Sequence, residues 1–168
     1  MNPLTFASLV AACAPQVNIT TAQALVAAES GFNAHAIGVV AGSLERQPRS
    51  QSEGVATARR LQSDGWNYSV GLAQINVRNF RRLGLTTESA FEPCANLAAM
   101  QVVLTECFER AQQQNADLQR SLRQALSCYY SGNFVTGFEH GYVRRVVHAA
   151  AIATARPLTS AFLAKDLP

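Results

Sequence analysis

The sequence predicts a mainly α-helical domain with a small β-hairpin excursion near residues 36–48. Ala, the residue with the highest helix propensity, occupies 28 of the 168 positions, whereas Gly occupies 10 and Pro 6. Hydrophobic residues make up 48% of the chain, which is enough to build a core. This length suits one compact domain, predicted over residues 1–168 with its core at about residues 4–155.

Two apolar helices are predicted at the start of the chain. The first covers about residues 4–13 and ends before Pro15. The second covers about residues 20–31, because Thr20 opens a sequence with capping-box spacing and Gly31 is a typical helix C-cap.

The next segment is predicted to be less helical. Residues 38–42 have the composition of a short strand and turn, which we interpret as one arm of the hairpin. Ser50 opens a second capping box, so a helix is predicted over about residues 50–64, ending at Gly65. Residues 66–76 are predicted to be a loop that carries several aromatic and amide side chains.

Three longer helices are predicted in the second half. A brief helical turn at residues 86–89 precedes a helix over about residues 96–113, in which apolar side chains recur at helical spacing. A helix over about residues 117–132 begins at an Asp and ends at a Gly, and a last helix covers about residues 136–155.

The charge pattern argues against a nucleic-acid-binding protein, because the net charge is only +3 and the basic residues form dispersed pairs rather than a stripe. Residues 1–28 contain no charged side chain. Pro and polar residues interrupt this segment, whereas a membrane span needs about 20 consecutive apolar residues. Two interpretations stay open: an export signal around residues 4–14, although a basic n-region is missing, or an apolar first helix of the domain.

The four cysteines do not have the spacing of a zinc site. They could form two disulfides in an oxidising compartment, with three possible pairings, or remain buried thiols. Among the pairings we favour Cys13 with Cys94, at helix boundaries, and Cys107 with Cys128, between packed helices. A pair between Cys94 and Cys107 is disfavoured, because about 13 residues of one helix would separate them far beyond disulfide reach.

Glu29 is the first candidate for chemistry. Its neighbours three and four positions earlier are Val26 and Leu25, so its carboxyl projects from an apolar stripe near a helix C-terminus. Desolvation and the negative end of the helix dipole both raise a carboxyl pKa there. A carboxyl that stays protonated near neutral pH can act as a general acid. The alternative is a Glu that ends the buried stripe and turns to solvent.

Two further segments could recognise a neutral polar ligand. Gly71 permits close backbone approach, and the amides of Gln74 and Asn76 suit hydroxyl and acetamido groups. The alternative is an ordinary loop. Tyr129 and Tyr130, at a predicted helix end, could place a hydroxyl in a cleft or form a pair of core aromatics.

Taken in order, four motifs resemble those of a lytic transglycosylase domain in the lysozyme-like superfamily. They are E-S-G-F-N at residues 29–33, G-L-A-Q-I-N at residues 71–76, C-Y-Y-S-G-N at residues 128–133 and Y-V-R-R-V at residues 142–146. The resemblance covers about residues 4–150. Residues 36–76 are most similar to the branch associated with bacterial type IV secretion and conjugation. Ala73 and Tyr130 depart from the Met and Asn that the family usually has.

The resemblance implies a lysozyme-like α+β fold and a peptidoglycan lytic transglycosylase. Glu29 matches the family's catalytic acid and base. The positions matched to substrate contacts are Ser30, Tyr68, Gly71, Gln74, Asn76, Tyr129 and Tyr142. The implied reaction cleaves the β-1,4 bond between N-acetylmuramic acid and N-acetylglucosamine and forms a 1,6-anhydro product. It needs no metal or cofactor and no second carboxylate, because the substrate's own acetamido group stabilises the anomeric centre.

The resemblance also implies where and with what the protein works. Peptidoglycan glycan strands are the expected substrate, and type IV secretion or conjugation components are the expected partners. The expected location is the bacterial periplasm, with no nucleic acid and no stable membrane insertion, and the export route stays open. Two alternatives also stay open: a goose-type lysozyme-like hydrolase of the same bond, and a non-catalytic component that binds peptidoglycan or acts as a scaffold.

Overall fold

The computed structural model describes residues 3–155, where the chain forms seven α-helices, two 3₁₀ helices and one three-stranded sheet. The helices are α1 Pro3–Cys13, α2 Ile19–Ser30, α3 Gln51–Ser63, α4 Pro93–Gln112, α5 Leu118–Ser131, α6 Thr136–Glu139 and α7 Tyr142–Ala155. The strands are β1 Ile37–Val39, β2 Tyr68–Val70 and β3 Ile75–Asn76, and the 3₁₀ helices are Val77–Asn79 and Ser89–Phe91. The predicted mainly α class with a small β element is confirmed.

Several helix boundaries differ from the prediction; for example, α4 begins at Pro93 rather than near residue 96. The N-cap of α2 is Asn18, whose side chain accepts a hydrogen bond from the Thr20 backbone N–H at 2.9 Å, so this helix begins before the predicted capping box. The last predicted helix is divided into α6 and α7 by Gly141, which has a φ of +70°. The predicted domain also includes residues 1–2 and 156–168, which lie outside the described residues.

The sheet is larger than the predicted hairpin, whose second arm lies elsewhere. β1 pairs with β2 in antiparallel register, with Ile37 opposite Val70, and β2 pairs with β3. Both partner strands therefore fall in the segment predicted as a loop. On the outer side of β1, the Gln47 amide accepts from the Ile37 N–H at 2.8 Å and donates to the Ile37 carbonyl at 2.9 Å. One side chain thus takes the position that a second strand would have had.

The core joins the sheet to the helices. Phe6 and Val10 of α1 are fully buried, so residues 4–13 do form an apolar helix of the fold. Helix α2 packs on α7, and α4 packs on α5. Within residues 3–155, none of the helices combines the length and hydropathy that a membrane crossing requires.

Two disulfides connect the helices within the described part of the chain. Cys13 at the end of α1 is bonded to Cys94 at the start of α4, and Cys107 of α4 is bonded to Cys128 of α5. The favoured pairing is confirmed, and the alternative of buried free thiols is wrong. The second bond lies one residue before Tyr129, so it helps to fix the helix end that carries the tyrosines.

Candidate active site

Glu29 lies at the next-to-last position of α2, on the wall of a large cleft. Leu25 and Val26 of the preceding turn are fully buried, and this packing directs the Glu29 side chain into the fold. Gly31, with a φ of +58°, ends the helix directly after the Glu29–Ser30 pair. The carboxyl thus lies in the cleft wall rather than in open solvent.

The pKa of Glu29 is raised from its ordinary value of 4.5 to about 7. Burial is the main cause, because the ionised form loses its hydration. The Tyr142 hydroxyl donates a hydrogen bond of 2.5 Å to Glu29 Oε1, and this bond and the charge of Arg145 partly lower the pKa. Near neutral pH both forms of the carboxyl are therefore populated, which suits a group that must give a proton and then take one back.

Tyr142 is the direct partner of Glu29, but it is part of the core rather than of the cleft surface. Its ring is 1% exposed and stacks on the Tyr130 ring at a centroid distance of 4.6 Å. The Arg145 guanidinium lies 5.6 Å from the centroid of the Tyr142 ring. Burial and the charge of Glu29 raise the pKa of Tyr142 well above its usual value, so the phenol remains a proton-bearing donor.

The cleft has a volume of about 670 Å³ and is lined mostly by uncharged polar groups. The side chains that line it with an amide, hydroxyl or ring nitrogen are Asn67, Ser69, Gln74, Asn76, Asn79, Tyr129, Tyr130, Ser131, Thr136 and His140. Among the described residues that line it, Glu29 is the only carboxylate and Arg78 is the only Lys or Arg. Such a surface suits a ligand rich in hydroxyl and acetamido groups.

Three helices hold the loop at residues 71–74 against Glu29. The Ser30 hydroxyl of α2 donates to the Leu72 carbonyl at 2.7 Å, and the Tyr129 hydroxyl of α5 donates to the Ala73 carbonyl at 2.7 Å. From α4, the fully buried Asn96 accepts from the Ala73 N–H at 2.8 Å and donates to two other carbonyls. The bonds to Leu72 and Ala73 all join a helix side chain to loop backbone, so the helix packing helps to fix the loop geometry.

Gly71 and Gln74 both adopt a left-handed backbone conformation in this loop. Gly71 has a φ of +80°, and an added Cβ would overlap the Asn96 amide and lie 2.8 Å from the Ala90 carbonyl oxygen. Gln74 has a φ of +49°, and its amide donates to the carbonyls of Ala36 at 3.1 Å and Gly71 at 3.0 Å. The side chain is therefore anchored through its nitrogen, with its oxygen left free of described donors at the cleft.

Asn76 and Tyr129 complete the group of predicted site residues that line this cleft. Asn76 donates to the Ser69 hydroxyl at 3.2 Å and accepts from the Arg78 N–H at 3.1 Å, so it caps the first 3₁₀ helix while it lines the cleft. The pKa of Tyr129 is raised well above its usual value by burial and by the charge of Glu29. Glu29, Gln74, Asn76 and Tyr129 all border one cavity.

The other predicted substrate contacts do not line the cleft. Tyr68 is fully buried, because side chains alternate along β2 and Ser69 takes the cleft side. Tyr68 therefore does not line this cleft, and its predicted contact with substrate stays a prediction. Ser30 and Gly71 shape the loop from behind, and Tyr142 acts on Glu29 from within the core.

The sequence analysis missed several polar residues of the site. Asn67 and Ser69 precede the motif at residues 71–76 and belong to the segment predicted as a loop, so no strand pattern separated Ser69 from Tyr68. Asn96 had a clear signal, since it is a polar residue in an otherwise apolar helix face, as buried amides that fix a loop often are. His140 reaches the cleft only because Gly141 breaks the last helix, which the sequence did not predict.

The other acidic groups of the described residues are absent from the cleft lining. Glu53 forms an ion pair with Arg46, and Asp64 forms one with Arg60 at 2.8 Å. Glu45 lines a separate, smaller pocket. Within residues 3–155, no three side chains of the types that bind metal ions come together.

Comparison with known proteins yields one family match and several relatives. Residues 6–148 match the model of the transglycosylase SLT domain. The chain is 43% identical over 169 residues to a protein named "Type IV secretion system protein virB1" from Brucella abortus, covering 97% of this chain and 71% of that protein. It is 37% identical over 163 residues to "Protein virB1" of Agrobacterium fabrum, covering 94% of this chain and 65% of that protein. No solved structure matches the chain.

Proposed function

The chain belongs to the transglycosylase SLT family, and we propose that it cleaves the β-1,4 bond between N-acetylmuramic acid and N-acetylglucosamine in peptidoglycan, with Glu29 as both acid and base. The observation that carries this proposal is the carboxyl of Glu29, whose pKa is about 7, on the wall of a cleft whose described lining holds no second carboxylate. A glycosidase with two carboxylates needs its second acid about 5 to 9.5 Å from the first. A single group must therefore serve both steps.

In the first step Glu29 donates its proton to the glycosidic oxygen. The bond between C1 of the muramic acid and this oxygen breaks, and its electron pair stays with the leaving oxygen as that oxygen takes the proton. The acetamido group of the same sugar stabilises the positive charge at C1, as in substrate-assisted glycosidases. Glu29 is left ionised, and the Tyr142 hydroxyl, 2.5 Å away, stabilises the new charge through its hydrogen bond.

In the second step the C6 hydroxyl of the same sugar attacks C1 and gives its proton to Glu29. A 1,6-anhydro ring forms and the acid is regenerated, so no water is consumed. Because Glu29 has a pKa near 7, neither transfer leaves the group in a strongly disfavoured state at neutral pH. Tyr129, Gln74 and Asn76 are in position to hold the sugars around the bond, since all three line the cleft beside Glu29.

The biological setting is inferred from the relatives and from the disulfides. The Brucella relatives are named as type IV secretion system proteins, and the proposed role of this chain is local opening of the cell wall for such an apparatus. The two disulfides among the described residues suit an oxidising compartment such as the periplasm. Components of the secretion apparatus are then the expected partners.

The test is the mass of the products that purified protein releases from intact peptidoglycan sacculi. We expect muropeptides that end in 1,6-anhydromuramic acid, and none from the Glu29→Gln variant, provided that circular dichroism shows it to be folded. Products heavier by one water, with a reducing end, would instead identify a hydrolase. Binding of sacculi by the wild-type protein without product release would identify a non-catalytic component.

A further inference from the structure

Arg78 brings a permanent positive charge to a cleft lined largely by amide and hydroxyl side chains. It lies in the 3₁₀ helix Val77–Asn79, directly after β3, and its side chain is exposed where it lines the cavity. No other Lys or Arg among the described residues lines this cavity. The position is therefore distinguished by charge from the amide and hydroxyl groups around it.

The backbone at Arg78 is fixed by the cleft itself. Its N–H donates to Asn76 Oδ1 at 3.1 Å, and the Asn76 amide donates in turn to the Ser69 hydroxyl at 3.2 Å. Both of these partners also line the cavity. The start of the Arg78 side chain is thus held in a defined place beside the ligand space.

The guanidinium of Arg78, in contrast, has no hydrogen bond or ion pair with any described residue. The nearby Arg82 shows what an engaged arginine looks like here, since it donates to Asn79 at 3.1 Å and to both carboxylate oxygens of Glu106 at 2.9 and 3.0 Å. The one carboxylate that lines the cleft, Glu29, is occupied by Tyr142. Hence Arg78 presents five unused N–H donors, in a geometry that matches a carboxylate, to whatever enters the cleft.

We propose that Arg78 binds a carboxylate of the glycan strand, and so selects strands whose muramic acid units carry a free carboxylate near the cleft. The inference rests on the proposed function, because it takes peptidoglycan as the ligand. Two sources supply this chemistry: the carboxylates of the peptide stem, and the lactyl carboxylate that is freed when the stem is removed. Neutral sugar groups suit the amides of the cleft, and an anion is the strongest partner for the unpaired guanidinium among them.

The test measures binding separately from cleavage, in a Glu29→Gln background that does not turn over the strand. Soluble glycan strands are prepared with intact stems, with stems removed by an amidase, and with the carboxylates of each preparation converted to carboxamides. We expect the carboxylate forms to bind about three- to tenfold more tightly than their amidated counterparts, with a difference that shrinks as salt is added. A carboxylate effect on the stem-bearing strands identifies the stem, and an effect only on the stripped strands identifies the lactyl group.

The matched variants are Arg78→Ala and Arg81→Ala. Arg81 is also exposed and lies three positions away, but it does not line the cleft. Arg78→Ala is expected to abolish the preference for carboxylate strands and to leave the binding of amidated strands within twofold, whereas Arg81→Ala keeps the preference. Equal binding of carboxylate and amidated strands, or an equal loss in the two variants, would overturn the proposal. If the wild-type protein forms no anhydro product, the proposed function fails, but this binding result is unaffected.

Discussion

Glu29 and Glu53 are two glutamates whose surroundings shift the pKa of the carboxyl in opposite directions. Glu29 projects into the fold from the end of α2, receives a hydrogen bond from a tyrosine, and has a pKa raised to about 7 by burial. Glu53 lies on α3, pairs with Arg46, and accepts a hydrogen bond from the Arg49 N–H at 2.8 Å. These hydrogen bonds and the nearby positive charge lower the pKa of Glu53.

The difference shows what separates a carboxyl that can do acid chemistry from one that cannot. The contacts of Glu53 stabilise its ionised form, so this carboxyl has no proton to donate at neutral pH. Glu29 has a neutral donor instead of a cation in direct contact, so ionisation is stabilised only in part. The charge of Arg145, which lies against the Tyr142 ring, lowers the pKa of Glu29 but does not cancel the effect of burial.

The largest expected effect follows from removing the ionisable group at each position. Glu29→Gln should lower kcat on sacculi by about 10³-fold or more, because the acid and the base are lost together. Glu53→Gln should leave kcat within about twofold, since its contacts lie outside the cleft. The measurement is the rate of muropeptide release. A large loss of activity in the Glu53 variant, or full activity in the Glu29 variant, would contradict the roles given to the two carboxyls.

The two carboxyls should also contribute to the free energy of unfolding with opposite dependence on pH. The folded state raises the pKa of Glu29 above its unfolded value, so it binds more protons than the unfolded state between about pH 4.5 and 7 and loses stability as the pH rises. Glu29→Gln removes this loss, and its free energy of unfolding should exceed that of the wild type by about 2 kcal/mol at pH 8 and by much less at pH 5. Urea unfolding at the two pH values measures this difference. A Glu29→Gln protein that is less stable than the wild type at pH 8 would argue against a desolvated carboxyl.

For Glu53 the sign is reversed. Its folded pKa is lowered, so its contribution is present at neutral pH and is lost as the pH falls through its folded pKa. Glu53→Gln should therefore be slightly less stable than the wild type at pH 7, and the gap should close in acid. Urea unfolding of Glu53→Gln and the wild type at pH 7 and at about pH 3, below the ordinary carboxyl range, measures this difference.

The Tyr142→Phe variant tests the role of the Tyr142 hydroxyl as the uncharged hydrogen-bond donor to Glu29. The variant keeps the ring that stacks on Tyr130 but removes the hydrogen bond to Glu29. Because that bond lowers the pKa of Glu29, the basic limb of the rate against pH should move upward, and kcat should fall about tenfold through poorer positioning. The pH dependence of kcat is the relevant measurement. A limb that moves downward, or a change confined to KM, would contradict this role.

Arg145→Ala should give the smallest effect of the series. The positive charge of Arg145 lowers the pKa of Glu29, so its loss should move the basic limb upward by less than in Tyr142→Phe and reduce kcat by about two- to threefold. Arg144 is an exposed neighbour on the same helix and provides the control, since Arg144→Ala should leave the limb in place. If the basic limb of the rate profile falls at the same pH in the two variants, Arg145 has no electrostatic effect on Glu29.

The local part of the site was predictable because its signals are local. The position of Glu29 follows from its i−3 and i−4 neighbours, and the capping residues Ser50 and Gly132 correctly marked helix ends. The contact between Tyr142 and Glu29 joins residues 113 positions apart, so no periodicity can reveal it. The family resemblance named Tyr142 only as a substrate contact and not as the partner of Glu29.

The rest was not predictable for identifiable physical reasons. Strands of two or three residues are too short to show alternation, so the pairing of Ile37 with Val70 had no sequence signal. The Gln47 amide satisfies the outer edge of β1 with one side chain, which no strand pattern announces. The break at Gly141 is a single left-handed residue between two helical segments, and it moves His140 into the cleft.

The most direct test of the account is a titration of the two carboxyls in one protein sample. Glutamate carboxyl carbons can be labelled and followed by NMR across pH 3 to 9, with Glu29→Gln and Glu53→Gln used to assign the signals. The account predicts that Glu29 titrates near pH 7 while Glu53 titrates below its ordinary range. A Glu29 signal that titrates near 4.5, as an exposed glutamate does, would contradict the claim that burial keeps this acid protonated.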